Sequence, residues 1–188
     1  NDSLYWEECF TRDGFEGPYT IMYHQNRPHE QLPSPISHYG WEKPVAAPDI
    51  ALRKRHFTTQ TMTPKGGMPI NSRIPLLFNS DICISVAHPD RPDDVYMNNA
   101  DADELLFIFE GSGVLRSIFG DLSFQKDDYL YIPKGMIYRL IPDENVKQYW
   151  LSTECYGGMG LLKQWRNEVG QLRMDAPYCH RDFKKPTF

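Results

Sequence analysis

NNADADELLFIFEGSGVLRSIFGDLSFQKDDYLYIPKGMIYRLIP, residues 98–142, is the stretch on which the fold turns. Leu105, Phe107 and Phe109 alternate with Leu106 and Ile108, so both faces of this strand are apolar, which suits burial on both sides or a place in a barrel wall. Gly111 and Gly113 mark a tight turn or a barrel corner. Val114, Leu115, Ile118 and Phe119 make the return strand, Gly120-Asp121 the next turn, and Leu122 with Phe124 a further short strand. After Lys126-Asp127-Asp128 the run Tyr129 to Ile132 is a strand again, stopped at Pro133 because proline has no N–H to give to a ladder. Gly135 turns the chain back into Ile137 to Ile141. Short strands with turn signals every 8 to 12 residues or so predict an all-β antiparallel barrel or sandwich.

Working outward from this stretch, Arg73 to Phe78 and Asp81 to Ala87 read as strands, the second with Ile82, Ile84 and Val86 on one face and Cys83 and Ser85 on the other. His88-Pro89 ends it, and His88 reads as a hydrogen-bonded structural histidine or one that faces a barrel mouth. Arg55 to Thr61 alternates loosely, and Pro64-Lys65-Gly66-Gly67 is a turn. On the other side, Val146 to Ser152 reads as one more strand. The glycine-rich Tyr156 to Gly160 lacks the G-x-x-x-x-G-K-[ST] frame of a phosphate loop. Leu161 to Trp165 reads as a turn of helix, and the remainder as irregular polar and aromatic chain.

Composition bounds the function. A chain of 188 residues with 40% hydrophobic content can bury one sizeable core. A formal net charge of -5 argues against a nucleic-acid partner, and the one basic cluster, Arg53, Lys54, Arg55 and His56, reads as a solvated loop. The longest apolar runs fall far below the roughly 20 residues of a bilayer span. No secretory leader is visible, so the expected location is cytoplasmic. Cys9, Cys83, Cys155 and Cys179 form no C-x-x-C pair and read as free thiols. The chain opens without an initiator methionine, which implies processing or a longer parent. Tyr5, Trp6, Phe10, Phe15 and Tyr19 are expected to drape over the barrel or a partner subunit. Met22-Tyr23-His24 reads as a short edge strand, followed by chain held extended by prolines 28, 33, 35, 44 and 48. His24, His29 and His38 are spaced as loop histidines rather than as a metal cluster.

The quoted stretch resembles a cupin, whose first motif has the form G-x5-H-x-H-x3 or x4-E-x6-G and whose second is G-x5-P-x-G-x2-H-x3-N. Pro133 and Gly135 match the second, with Asp127 in place of its first glycine and Tyr138 in place of its histidine. Glu104 and Gly111 match the first. Where that motif has its histidines this chain has Asn98 and Ala100, or Met97 and Asn99 at the longer spacing. An Fe(II) facial triad needs two neutral imidazoles and a carboxylate, so Asn98, Ala100, Glu104 and Tyr138 are degenerate cupin positions. The resemblance implies a cupin-type antiparallel β-barrel, a double-stranded β-helix, with extended N- and C-terminal arms and without metal, cofactor or catalytic residues of its own.

A longer likeness runs through Asp2-Ser3-Leu4-Tyr5, Glu7-Glu8, Gly14-Phe15-x-Gly17, Tyr23-His24, Asn98 to Glu104, Asn167-Glu168-x-Gly170-Gln171-Leu172 and Ala176 to Phe183. These segments resemble the homogentisate 1,2-dioxygenase family. Members of that family are bicupins, and the resemblance implies that this chain is the first, structural half. It implies an extended arm over 1–50, a degenerate cupin barrel over 51–153, and a segment over 154–188 that leads toward a second, catalytic cupin carrying Fe(II). Expected partners are that second cupin and further copies in a trimer or hexamer, with no nucleic acid and no membrane. The implied parent activity is opening of homogentisate by dioxygen to maleylacetoacetate, in tyrosine and phenylalanine breakdown. Two other classes fit the same residues: a non-catalytic cupin that binds a small organic acid through Glu104, Tyr138 and Arg139, and a structural partner of a separate catalytic chain.

Overall fold

The computed structural model of the protein describes residues 4–11, 14–30, 42–47, 50–51 and 53–188. Asp2, Ser3, Pro33, Pro35, His38 and Pro48, named above, lie outside the described residues. Eleven strands occur among the described residues: β1 Trp6–Thr11, β2 Tyr19–His24, β3 Arg73–Phe78, β4 Ile82–Ala87, β5 Met97–Asn98, β6 Asp103–Glu110, β7 Ser112–Ser117, β8 Gly120–Gln125, β9 Tyr129–Ile132, β10 Ile137–Pro142 and β11 Tyr149–Cys155. The described residues divide into two units, one drawn from Asn1–Ser37 and Gly160–Phe183 and the other from His38–Met159 and Lys184–Phe188.

The second unit holds two open antiparallel sheets, a five-stranded one in the order β3-β4-β11-β6-β9 and a four-stranded one in the order β5-β10-β7-β8. This corrects the expected barrel. Neither sheet closes: β3 and β9 remain edges of the first, β5 and β8 edges of the second. The architecture is all-β and cupin-like, with two sheets facing across a shared interior. Period-two alternation builds that interior. Leu106 and Ile108 of β6, Leu115 of β7, Phe124 of β8, Leu130 and Ile132 of β9, Leu140 of β10 and Trp150 of β11 are all buried. Phe124 meets Trp150 edge to face across the sheets, ring centroids 5.5 Å apart, and the Trp150 indole N–H donates to Gln148 Oε1 at 3.0 Å.

Local differences from the sequence expectations have local causes. The β7–β8 turn is Ile118-Phe119 rather than Gly120-Asp121, because Ser117 pairs directly with Gly120. The Ser117 hydroxyl accepts the Phe119 N–H at 3.1 Å and Gly120 takes up the positive φ. Arg55 to Thr61 forms no strand. Its only regular element among the described residues is the 3-10 turn Thr59–Thr61, where the Thr61 hydroxyl donates to the Thr58 carbonyl at 2.9 Å. The last strand begins at Tyr149 rather than Val146, after Asn145 in positive φ and with a register shift between Tyr149 and Trp150. In β4 the more deeply buried face is Cys83, Ser85 and Ala87. The turn after Pro133 is as expected: Gly135 sits at φ 85° in open space.

The loop between β4 and β5 is tied to β10 through Asp93. Its carboxylate accepts the Leu140 N–H at 2.9 Å, its own N–H donates to the Leu140 carbonyl at 3.0 Å, and the Arg139 side chain donates to its carbonyl. Asp93 Oδ1 has no partner among the described residues. Burial pushes the carboxyl up to about 6, against the opposing pull of the Leu140 N–H. At the far edge, Thr187 exchanges backbone hydrogen bonds of 2.8 Å with Asp121 of β8.

In the first unit β1 and β2 form a hairpin running from Trp6 opposite His24 to Thr11 opposite Tyr19, so the N-terminal arm is not merely extended. His24 Nε2 meets Glu8 at 2.8 Å and the Arg27 guanidinium lies 4.6 Å from the Trp6 ring. Tyr5, Phe15 and Tyr19 are exposed. The C-terminal part contributes the 3-10 turns Lys163–Trp165 and His180–Asp182 and a bridge between Arg166 and Leu172. Among the described residues no helix is long and apolar enough to cross a membrane.

Two outcomes follow from this packing. A Cβ on Gly113 would lie 2.4 Å from the Ile141 carbonyl and 2.7 Å from the Phe124 ring, so Gly113→Ala is expected to lower stability by about 1–3 kcal/mol in denaturant titration; an unchanged midpoint would show that β7 and β10 do not approach so closely. Asp93 has a folded-state value raised above its ordinary 3.8, so its contribution is complete below that value and is lost as pH rises through about 6. Relative to Asp93→Asn, the wild type is expected to lose about 3 kcal/mol of unfolding free energy between roughly pH 4 and pH 7. A difference that stayed flat or grew with pH would contradict the burial of this carboxylate.

Candidate functional site

The alternation that buries Leu106 and Ile108 of β6 carries Glu104 into the same interior, and on β11 it carries Ser152 and Glu154 inward beside Trp150. Glu104 and Glu154 are register partners on adjacent strands, so two carboxylates lie side by side. Like charges directly opposite each other repel, and burial raises the cost. The structure meets this with Arg73, from the edge strand β3: its Nη1 is 2.7 Å from Glu104 Oε1 and 3.6 Å from Glu154 Oε1, with the Arg73, Glu104 and Glu154 side chains 2%, 1% and 5% exposed. From the opposite sheet, Tyr138 of β10 donates its hydroxyl to Glu104 Oε2 in a short hydrogen bond. Asn99 Nδ2 donates to Glu154 Oε1 at 3.1 Å.

Charge states follow from these contacts. Burial works against the Arg73 charge, but Glu104, with Tyr138 and Glu154, outweighs it and holds the guanidinium above its ordinary range. Burial, reinforced by Glu104, holds the Tyr138 phenol neutral, well above the usual tyrosine range. Burial pushes Glu154 up while Arg73 pulls it down, and burial wins. Glu154 Oε2 and Ser152 Oγ, both buried, have no hydrogen-bond partner among the described residues.

Of the degenerate cupin positions, the structure brings together Glu104 and Tyr138. Asn98 and Ala100 are exposed, and Asn98 Nδ2 is spent on the Gly135 carbonyl at 2.8 Å. Asn99, the alternative at the longer spacing, is the amide that reaches the interior. Arg139 is half-buried and bonded to the Asp93 carbonyl. Arg73 and Glu154 were not visible as site residues in the sequence. The signal for Glu154 was the spacing Trp150, Ser152, Glu154, whereas nothing local marks Arg73. His88 is a structural histidine: its Nδ1 lies 3.2 Å from the Gln148 carbonyl and its ring stacks on Tyr149 at 4.8 Å. The basic cluster Arg53, Lys54, Arg55 and His56 is exposed.

The residues present do not fit an iron centre. Iron in a cupin triad needs imidazole donors, and this interior offers carboxylates, a phenol, a hydroxyl and an amide. Both oxygens of Glu104 are already engaged, one by a guanidinium. A metal bound there at about 2 Å would have to share that space with a fixed positive charge. Among the described residues no group of three or more His, Cys, Asp or Glu could hold a metal ion.

No family model matches the chain. It is 30% identical over 185 residues to a curated protein of Saccharolobus solfataricus named "Putative dioxygenase SSO1533", an alignment covering 96% of this chain and 46% of that protein. The chain thus spans about half the length of this curated relative. A solved structure of a conserved protein with a double-stranded β-helix domain from Klebsiella pneumoniae is 16% identical, covers 56% of this chain and 92% of that one, and has a TM-score of 0.47. A cupin-2 domain containing protein from Shewanella frigidimarina is 19% identical, covers 45% and 79%, and has a TM-score of 0.40. The chain is a distant relative of a dioxygenase-like protein, with cupin-like sheets.

Proposed function

We propose that this chain is a non-catalytic cupin-like module of a longer dioxygenase-like protein, a half that supports a catalytic half rather than performing chemistry itself. The observation that carries this is the state of Glu104: the one cupin-type carboxylate is taken on one oxygen by Arg73 at 2.7 Å and on the other by Tyr138. Neither open coordination positions nor a free base remains around it. In support, the chain aligns with about half of a relative whose name describes a dioxygenase.

In the finer form of this proposal the parent opens homogentisate with dioxygen, a step that needs a metal with open positions because dioxygen reacts poorly with a closed-shell aromatic ring. That metal would belong to the second half. The chain would then divide into an arm over 1–50, a central cupin-like module over 51–153 and a lead toward the second half over 154–188, in a cytoplasmic trimer or hexamer. A reading in which the interior binds a small organic acid sets that acid against Glu104 and Glu154 for the single guanidinium of Arg73. Two carboxylates already in place make that a losing competition.

Supplied with Fe(II) and a reductant, the 188-residue chain is expected to take up no oxygen with homogentisate and to retain only iron that Glu104→Ala does not remove. Near-stoichiometric iron lost on Glu104→Ala, or turnover by this chain alone, would overturn the proposal. A longer parent that binds iron but leaves homogentisate intact would remove the substrate and keep the division of labour.

A further inference from the structure

Glu104 and Glu154 are opposed on neighbouring strands, face the same interior and are almost wholly buried. A single nitrogen, Arg73 Nη1, lies 2.7 Å from one and 3.6 Å from the other. Around the same point are the Tyr138 hydroxyl, bonded to Glu104, and two buried oxygens without partners among the described residues, Glu154 Oε2 and Ser152 Oγ. Ser152 sits one inward step along β11 from Glu154. Two carboxylates, a phenol oxygen, a hydroxyl and a spare carboxylate oxygen form an all-oxygen donor set, the kind that suits a hard divalent ion such as Mg(II) or Mn(II). What the set lacks is a place for the ion, because a guanidinium carried on β3 fills it.

We propose that this interior is a divalent-cation site whose cation is supplied by the protein: Arg73 and an oxygen-preferring divalent ion are alternative occupants of the one position between Glu104 and Glu154. Arg73 keeps the site closed to metal, neutralises the opposed carboxylates and, through Glu104 and Tyr138, ties the five-stranded sheet to the four-stranded one. Removal of its charge leaves two buried carboxylates unpaired, which is strongly unfavourable unless another cation enters. The linkage between the sheets therefore depends on a positive charge at this point and not on the guanidinium itself. Lysine, with a compact ammonium, should serve in part.

The test uses the full chain with Mn(II), whose free form is counted by its paramagnetic resonance signal. Wild type is expected to bind no Mn(II), with a Tm that the ion does not move. Arg73→Met is expected to have a lower Tm, to bind one Mn(II) per chain and to regain about 5 °C or more on saturation. Adding Glu154→Gln to it should weaken Mn(II) binding by about tenfold or more. Arg73→Lys should fall between wild type and Arg73→Met in Tm and bind no Mn(II). Should Arg73→Met fail to fold, Arg73→Met with Glu104→Gln decides the matter, because removing one uncompensated carboxylate should restore a cooperative transition. Three results would overturn the proposal: Glu104-dependent Mn(II) binding by wild type, a folded Arg73→Met that binds none, or a double variant no more stable than Arg73→Met.

Discussion

Two carboxylates forced side by side into the interior set the terms for the rest of this structure. Glu104 and Glu154 arrive there because β6 and β11 are neighbours and their inward residues alternate in phase. Their burial is tolerable only with a cation between them, and Arg73 reaches it from β3, on the far side of β4 and β11 in the sheet. Replacing such a set with apolar residues can be neutral or stabilising, but removing one member typically costs about 3–5 kcal/mol. The network therefore acts less as a source of stability than as a constraint on arrangement. It requires β3 on one side, β6 and β11 in register, and Tyr138 of the opposite sheet overhead. An apolar core alone, here Leu106, Ile108, Phe124, Leu140 and Trp150, would not discriminate between nearby registers so sharply.

Open sheets leave edges, and each edge here is blunted in its own way. β3 carries Pro75 and a register shift before Leu77, so it offers a broken row of donors. β5 is only two residues long. β8 is covered at Asp121 by the backbone of Thr187, and a Cβ on Gly120 would come 2.6 Å from the Thr187 carbonyl, so the close approach of that tail depends on glycine. β9 is short and ends at Pro133. Edge management of this kind replaces the closure that a barrel would have supplied.

Strand positions were legible in the sequence wherever alternation and a punctuating residue agreed. Tyr129 to Ile132 before Pro133, and Arg73 to Phe78, were placed at their observed limits. Closure was not legible, because it depends on which strands pair at long range, and alternation describes only the faces of a single strand. The shift of the β7–β8 turn has the same character: Gly120-Asp121 is the stronger turn signal, yet pairing of Ser117 with Gly120 makes Ile118-Phe119 the loop. At the site, Glu104 and Tyr138 could be placed by motif, and Glu154 by its phase with Trp150. Arg73 could not, since its role depends on strands distant in sequence that no local pattern connects to it.

The outer face of the five-stranded sheet bears on the proposed module role. Rings run along it in contact, from His88 to Tyr149 at 4.8 Å, Tyr149 to Phe109 at 5.0 Å, Phe109 to Phe107 at 4.6 Å and Phe107 to Tyr129 at 4.7 Å. The row passes from buried to exposed, with His88 8% and Tyr129 67% accessible. β6 has apolar residues on both faces, the pattern of a strand covered twice, yet only its inward face is fully buried. A self-sufficient sandwich has no need of aromatic rings on its solvent side, and each costs free energy in water. With an interior closed to chemistry by Arg73 and an exterior richer in rings than solvent favours, the capacity of this unit to interact lies on its surface. That is the disposition expected of a supporting module.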